Sequence, residues 1–134
     1  MQIRGVPIKL ADPLSAEDAA RLEWIVEHAA VMAAEYAEKN GAHWYVRKLG
    51  GIYWFRQPDQ MWAAWGLPQY KANGEELIGW YTGDPKCIVN VGWAGDWKIL
   101  WHELGHHYFG GEEAEDTVQA WADWAMDYER RRSK

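Results

Sequence analysis

The most informative stretch of the sequence is Trp101-His102-Glu103-Leu104-Gly105-His106-His107. If this stretch is helical, His102 and His106 lie one turn apart, about 6 Å along the axis, and project from the same face. Two imidazoles at that spacing can hold one metal ion, and the spacing favours Zn²⁺. Glu103 lies about 100° further round the helix, beside the metal, where a general base for water belongs. The stretch therefore predicts a helix that carries two metal ligands and a base.

Length and composition predict one globular domain over residues 1–134, with 49% hydrophobic and 25% charged residues. Eleven tryptophans in so short a chain indicate either a core of large aromatic side chains or an aromatic-lined cleft. The net charge is -6, and the basic run Arg130-Arg131-Arg132 lies beside the carbonyl end of a predicted helix, which it complements. Nucleic acid is therefore not an expected partner.

Cysteine usage and the start of the chain bear on the cellular setting. Cys87 is the single cysteine, so neither an internal disulfide nor a cysteine-based zinc site can form. The first residues lack the apolar core of a signal peptide, and no apolar run approaches the length of a membrane span. We therefore expect a cytoplasmic protein without a membrane partner.

Three long helices are predicted. The first covers 16–39, with Ser15 as its N-cap and Asn40-Gly41 as its end. The second covers about 97–109 and carries the two histidines, with Asp96 as the expected N-cap and Gly110-Gly111 as the end. The third covers about 112–131 and begins with a run of acidic residues.

Four strands are predicted between the first two helices. Residues 43–49 and 52–56 surround Gly50-Gly51 and indicate one hairpin, and residues 76–81 and 86–91 indicate a second. The apolar run 87–91 is expected inside the sheet or on a covered face. Hence the predicted fold is α+β: an N-terminal helix, a four-stranded and mostly antiparallel sheet, the histidine helix and a C-terminal helix.

A short helix over 60–65 and an irregular loop over 66–75 are predicted between the two hairpins. Trp62 and Trp65 lie on this segment. They are candidates for exposed aromatics that contact a substrate, and the alternative is that they anchor the loop to the core.

The third metal ligand is expected among the acids that follow the histidine helix. Glu115 is the preferred candidate, because Gln119 lies one turn later on the same helical face and could hydrogen-bond a ligand from behind. Glu112, six residues after His106, is the main alternative. Asp116, Glu113 or the absence of a third protein ligand remain open, and acids that bind no metal would complement the helix dipole.

The motif at 101–107, followed by a glycine turn and a helix with an acid, resembles the zincin metallopeptidases. Within that class, Glu115-x-x-Val118-Gln119-x-Trp121-Ala122 resembles the E-x-x-A-[DN]-x-[FY]-A helix of gluzincin-type families such as the ImmA/IrrE-like proteins and the HtpX-type peptidases. The likeness covers about residues 86–126, and the chain looks most like a small, minigluzincin-like or phage-borne zincin. The shorter metzincin-like pattern H-E-x-x-H-x-x-G-x-x-[HD] would instead place the third ligand at Glu112.

The resemblance implies a zinc-dependent metallopeptidase with a peptide or protein substrate. Glu103 would take a proton from the water that attacks a peptide carbonyl and pass it to the leaving amine. A strand edge at 89–93 would receive the extended substrate. The candidates for contact with the carbonyl oxygen in the transition state are four side chains: His107, Tyr108, Tyr81 and Tyr128. The alternative function is a binding or regulatory protein that keeps the zincin fold and holds the metal for stability.

Overall fold

The computed structural model describes residues 2–83, 86–92 and 96–132. Within these ranges the elements, in chain order, are β1 Gln2–Ile3, β2 Val6–Leu10, α1 Ala16–Asn40, β3 Gly51–Phe55, α2 Pro58–Trp65, β4 Gly79–Tyr81, β5 Cys87–Val91, α3 Lys98–Phe109, a 3₁₀ turn Glu112–Ala114 and α4 Glu115–Arg132. The fold is α+β, as the sequence predicted. No helix of the described residues is long and apolar enough to span a membrane.

The long first helix has the predicted ends. The Ser15 hydroxyl accepts a hydrogen bond from the backbone N–H of Asp18 at 3.1 Å. Gly41 follows the last residue with φ 64°, and its N–H donates to the carbonyl of Ala37. A left-handed residue of this kind favours glycine, because it has no Cβ to clash with the backbone.

The prediction of a four-stranded, mostly antiparallel sheet is wrong. The described strands form one five-stranded sheet in the order β1-β2-β3-β5-β4. The two inner pairings, β2 with β3 and β3 with β5, are parallel, and the two outer pairings are antiparallel. The sheet is therefore mixed, with its parallel strands in the centre, where both faces can be covered.

The hairpin predicted over 43–49 and 52–56 does not form. Residues 43–49 contain no strand, because their polar groups bond to the end of α3: the N–H of Tyr45 donates to the carbonyl of Tyr108 at 2.8 Å, and Nε of Arg47 donates to the carbonyl of His107 at 2.6 Å. The place beside β3 is taken by β2, with Ile8 opposite Ile52. The glycine pair thus leads into a parallel strand and does not turn a hairpin.

The missed strands lie in the N-terminal segment, which the sequence suggested to be an extended lead-in. Arg4 and Gly5 have φ 52° and 79° and connect β1 to β2. Two consecutive positive φ values match the twist of a two-residue hairpin, but Arg-Gly lacks the Asn-Gly or Asp-Gly signature by which such turns are found. Pro7 in β2 also weakens the strand pattern.

The second hairpin is confirmed, with Trp80 opposite Val89; Asp84 and Pro85 of its turn lie outside the described residues. All five residues of β5 are buried. Because β5 lies between β3 and β4, the expected substrate-binding edge at 89–93 is wrong for residues 89–91, and Trp93 is not described. The outer strand on this side of the sheet is β4.

The helices cover both faces of the sheet unequally. Ile88 packs with the large core that α1, α3 and α4 form, whereas Val89 and Val91 pack with Met61 of α2 on the opposite face. This alternation follows the two-residue period of a strand. The histidine helix α3 contacts β4 and β5, so it lies over that end of the sheet, and α4 packs against it.

The start of α3 differs from the prediction. Trp97, not Asp96, occupies the N-cap position, and no side chain caps the helix there. Trp97 is buried and the guanidinium of Arg21 lies 4.7 Å from its ring centroid. The predicted last helix is divided, because Glu112–Ala114 forms a 3₁₀ turn before α4 begins at Glu115.

Candidate metal site

Two helices bring three potential metal ligands together. His102 and His106 lie one turn apart on α3, and their Nε2 atoms are 3.2 Å apart. Glu115, the first residue of α4, places Oε1 3.3 Å from Nε2 of His102 and Oε2 3.1 Å from Nε2 of His106. The described residues thus contain one group that could hold a metal ion, made of His102, His106 and Glu115.

The spacing of these atoms suits a tetrahedral metal ion. Zinc binds imidazole nitrogen and carboxylate oxygen at about 2.0–2.2 Å, so its neighbouring ligand atoms lie about 3.3–3.5 Å apart. The three distances in the structure are close to that edge length. Burial and the neighbouring His106 also hold the pKa of His102 below its ordinary value, which favours the neutral imidazole that binds metal.

Gly105 allows α4 to approach the histidine helix. A Cβ at this position would lie 2.8 Å from Cγ1 of Val118 and 3.3 Å from Cε3 of Trp121. The rings of Trp101 and Trp121 then meet edge to face with centroids 5.5 Å apart. This close packing fixes the distance between the helices and hence the position of Glu115.

The turn between the helices also orients one histidine. Gly110 has φ 122°, a conformation that favours glycine, and its carbonyl accepts a hydrogen bond from Nδ1 of His106 at 2.9 Å. The proton is thereby held on Nδ1 and the lone pair of Nε2 faces Glu115. Oε1 of Glu113 accepts from the N–H of Gly111 at 3.0 Å and closes the same turn.

Gln119 was expected to orient a metal-binding imidazole from behind, but in the structure it supports the carboxylate of Glu115. Its Nε2 donates to Oε1 of Glu115 at 3.2 Å. The imidazole of His106 is oriented by a backbone carbonyl instead. Of the other acids considered, Glu112 lines the adjacent cleft but, like Glu113 and Asp116, is not part of the three-residue group.

Glu103 lies beside the histidines and is 7% exposed. Burial raises the pKa of its carboxyl to about 8, and the Lys71 ammonium opposes that shift. Gly79 of β4 makes room for it, because a Cβ there would lie 2.7 Å from Oε2 of Glu103. Glu103 is thus a carboxyl that can exchange a proton near neutral pH at the wall of a cleft.

A cleft of about 710 Å³ opens over these residues. Its lining combines the metal-site side chains with β4 and the loop before it, including Lys71, Leu77, Gly79, Trp80, Tyr81, His102, Glu103, His106, Glu112 and Glu115. Lys71, Gly79 and Trp80 were not found from the sequence, because Lys71 lies in the irregular loop, Gly79 and Trp80 lie in the strand after it, and none of them belongs to a recognisable motif.

Trp62 and Trp65 anchor the loop and do not line the cleft described above. Trp62 Nε1 donates to the carbonyl of Leu77 at 2.7 Å. Trp65 packs edge to face against Tyr53 and Trp80, with ring centroids 4.7 Å and 5.9 Å away. Of the two possibilities that the sequence allowed, the structure therefore favours the anchoring role.

His107 is a buried connector between three segments. Its Nε2 donates to the carbonyl of Arg47 at 3.0 Å, and its Nδ1 accepts from the hydroxyl of Tyr81 at 2.8 Å. Burial is the main cause that lowers the pKa of His107, to about 4. Both ring nitrogens are thus occupied by the fold, which leaves His107 unsuited to contact a substrate.

Four side chains were candidates for contact with the carbonyl oxygen in the transition state. Of these, only Tyr81 lines the described cleft. Tyr108 is buried, and burial raises the pKa of its hydroxyl to about 12. Tyr128 packs against Trp124 on α4, beside a different cavity. The structure therefore favours Tyr81 over the other three on position.

Comparisons of the chain with protein-family models, with curated proteins and with solved structures found no significant match. The assignment therefore depends on the site itself. Two histidines four residues apart on one helix and a glutamate on the next helix fit a zincin-like metal site.

Proposed function

We propose that this protein is a zinc-dependent metallopeptidase that hydrolyses peptide bonds. One observation carries the proposal: Glu103 lies in the same open cleft as the three convergent side chains of His102, His106 and Glu115. Three protein ligands leave one tetrahedral position for water or substrate, which is the arrangement of a catalytic zinc site. A structural site is usually closed by a fourth protein ligand, and the described residues supply three.

Zn²⁺ at this position would supply Lewis acidity, which polarises a carbonyl group and lowers the pKa of water. Glu103 takes the proton of the attacking water and later returns it to the leaving amine, so that the carboxyl ends the reaction as it began. A buried carboxyl with a pKa of about 8 can both accept and donate a proton near neutral pH.

The substrate is an extended peptide that pairs with the outer edge of β4. This strand, Gly79–Tyr81, pairs with β5 on one side only and is the last strand of the described sheet. Three of its residues line the cleft next to Glu103. An unpaired strand edge binds an extended peptide through backbone hydrogen bonds, which explains recognition without a deep side-chain pocket.

Two further side chains are suited to hold the peptide. Tyr81 lies at the cleft wall, and its hydroxyl would contact the carbonyl oxygen on which charge develops by giving up the hydrogen bond that it donates to Nδ1 of His107. Lys71 lines the cleft from the loop before β4 and pairs with the exposed carboxylate of Glu75 at 3.3 Å. An exposed pair of this kind exchanges partners readily.

The decisive experiment measures cleavage of a quenched-fluorescence peptide library by the zinc-loaded protein. Cleavage should stop on addition of a chelator, return with zinc, and be absent in Glu103→Gln, while zinc content by atomic emission stays at one ion per chain. Cleavage by Glu103→Gln would reject the assigned base. Zinc binding without cleavage of any peptide by the native chain would instead favour a binding or regulatory protein that keeps the metal for stability.

A further inference from the structure

Asn90 is a polar residue at the centre of an otherwise apolar strand. It belongs to β5, whose other members are Cys87, Ile88, Val89 and Val91, and it is 1% exposed. Both side-chain atoms that can form hydrogen bonds, Nδ2 and Oδ1, are buried without a partner among the described residues. An amide in that situation destabilises the folded protein, so its presence in the strand needs a functional explanation.

The side chain of Asn90 lies on the face of the sheet that α3 covers. Ile88 packs into the core formed by α1, α3 and α4, and Val89 and Val91 pack with α2 on the other face. Because strand residues alternate between faces, Asn90 shares the face of Ile88. Trp54, its partner on β3, belongs to the same large core.

The other neighbour of Asn90 leads directly to the proposed base. Gly79 of β4 lies opposite Asn90, so a Cβ at each would be about 5 Å from the other on the same face. The Cβ position of Gly79 is 2.7 Å from Oε2 and 3.3 Å from Cγ of Glu103. Asn90 and the carboxyl of Glu103 therefore both lie next to the space that the missing side chain of Gly79 leaves.

We propose that Asn90 is a positioning residue for Glu103, and that its Nδ2–H group donates a hydrogen bond to the Glu103 carboxylate in the working site. This bond holds the carboxylate in the orientation that receives a proton from water. The inference rests on the proposed role of Glu103 as the base, and its tests separate the two.

The test compares Asn90→Val with Asn90→Thr. The two new side chains have similar shapes, but only threonine has a hydroxyl group that can donate a hydrogen bond. In Asn90→Val, kcat should fall about tenfold or more while KM and zinc affinity stay within about twofold, because the base and not the substrate is misplaced. The melting temperature of the metal-free protein should be unchanged or raised, since the amide that is removed has no hydrogen-bond partner in this structure. Asn90→Thr should retain more of kcat than Asn90→Val.

Ile88→Val is the matched control, because Ile88 lies on the same strand and the same face, two residues away. It should lower the melting temperature slightly and leave kcat unchanged. A purely structural Asn90 predicts the reverse pattern: Asn90→Val would lose stability and keep its activity per folded molecule. That result, or equal kcat values for Asn90→Val and Asn90→Thr, would overturn the inference.

A second readout does not need turnover. Isotope-edited infrared spectra of ¹³C-glutamate-labelled protein contain a carboxyl band of Glu103, which is identified by its loss in Glu103→Gln. The band should shift in Asn90→Val and stay in place in Ile88→Val. An unshifted band in Asn90→Val overturns the inference even if the native protein is an active peptidase, and a shifted band supports it even if no peptide is cleaved.

Discussion

Gly79 on β4 lies so close to Glu103 on α3 that a Cβ added to the glycine would be 2.7 Å from Oε2 of that carboxyl. The same added atom would lie 2.7 Å from Cγ2 of Ile99, one turn before Glu103. Both contacts are shorter than real Cβ atoms tolerate, so any side chain at position 79 must move the carboxyl, the helix or the strand. The glycine therefore sets how near the outer strand can lie to the proposed base.

Gly79→Ala should lower kcat of the zinc-loaded protein about tenfold or more, because Glu103 is displaced from the position beside the metal ligands. The free energy of unfolding should fall by about 1–3 kcal/mol, as expected for an added methyl group in a filled site. Zinc affinity should be nearly unchanged, since the three atoms nearest to the added Cβ belong to Glu103 and Ile99 and not to a metal ligand. Steady-state kinetics, thermal unfolding and zinc titration measure these three quantities.

The matched control is Gly51→Ala on β3. Its added Cβ would meet the carbonyl of Pro7 at 3.4 Å and Sγ of Cys87 at 3.5 Å, which are ordinary contacts. This variant should keep the activity of the native protein. If Gly79→Ala were as active as Gly51→Ala, the close approach to Glu103 would have no catalytic importance.

The third ligand is tested by comparing two acids three residues apart. Glu115→Ala should reduce zinc affinity by at least about a hundredfold, because it removes one of three direct ligands. Glu112→Ala should change zinc affinity by less than about threefold, since Glu112 lines the cleft but stands outside the three-residue group. Competition with a chromophoric chelator measures both constants. The opposite order would move the third ligand to Glu112.

The three residues of α3 could be predicted from sequence because their arrangement is set by helix geometry alone. His102, Glu103 and His106 needed no knowledge of the rest of the chain. The choice between Glu112 and Glu115 depends on tertiary features: the left-handed Gly110, the 3₁₀ turn Glu112–Ala114, and the close packing of α4 on Gly105. None of these is visible as a local pattern of hydrophobic residues.

The sheet was predicted less well, for a related reason. Helix 16–39 and the hairpin of β4 and β5 depend on local capping and turn signals, and both were found. The entry of β2 into the sheet depends on a parallel pairing with β3 across more than forty residues, with Ile8 opposite Ile52. Residues 43–49 have the composition of a strand, but the end of α3 provides the partners of Tyr45 and Arg47. Propensity was overridden there by tertiary hydrogen bonds.

The burial of Glu103 has a consequence for the stability of the metal-free protein. Its pKa is raised from an ordinary 4.5 to about 8, so between these values the folded state binds more protons than the unfolded state. The part of the folding stability that depends on the neutral Glu103 carboxyl is fully present below pH 4.5 and is lost as the pH rises through about 8. The loss at full ionisation is on the order of 5 kcal/mol.

Glu103→Gln removes this titrating group and keeps the shape of the side chain. In thermal unfolding of the metal-free protein, the variant should match the native chain near pH 4.5 and be increasingly more stable towards pH 8. Glu112→Gln is the control, because it changes an acid at the mouth of the same cleft. Parallel pH profiles for Glu103→Gln and the native protein would show that the carboxyl is not desolvated.

His107 gives the opposite pH dependence. Its pKa is lowered from an ordinary 6.5 to about 4, because burial penalises the charged imidazole. The folded state therefore binds fewer protons than the unfolded state between these values. The contribution of His107 to stability is present above pH 6.5 and is lost as the pH falls through about 4, by an amount on the order of 3 kcal/mol.

Protonation would also break the bond that the Tyr81 hydroxyl donates to Nδ1 of His107, since a protonated ring has no acceptor left. His107→Gln should consequently be less stable than the native metal-free protein at pH 7 and lose less of its stability on acidification. His28→Gln serves as the control, because His28 stacks on Trp24 near the surface with centroids 4.2 Å apart. Urea unfolding at pH 7, 5.5 and 4 should give the His28 variant the steep acid dependence of the native chain. An equally steep dependence in His107→Gln would mean that other groups, such as the metal-site histidines, cause the acid sensitivity.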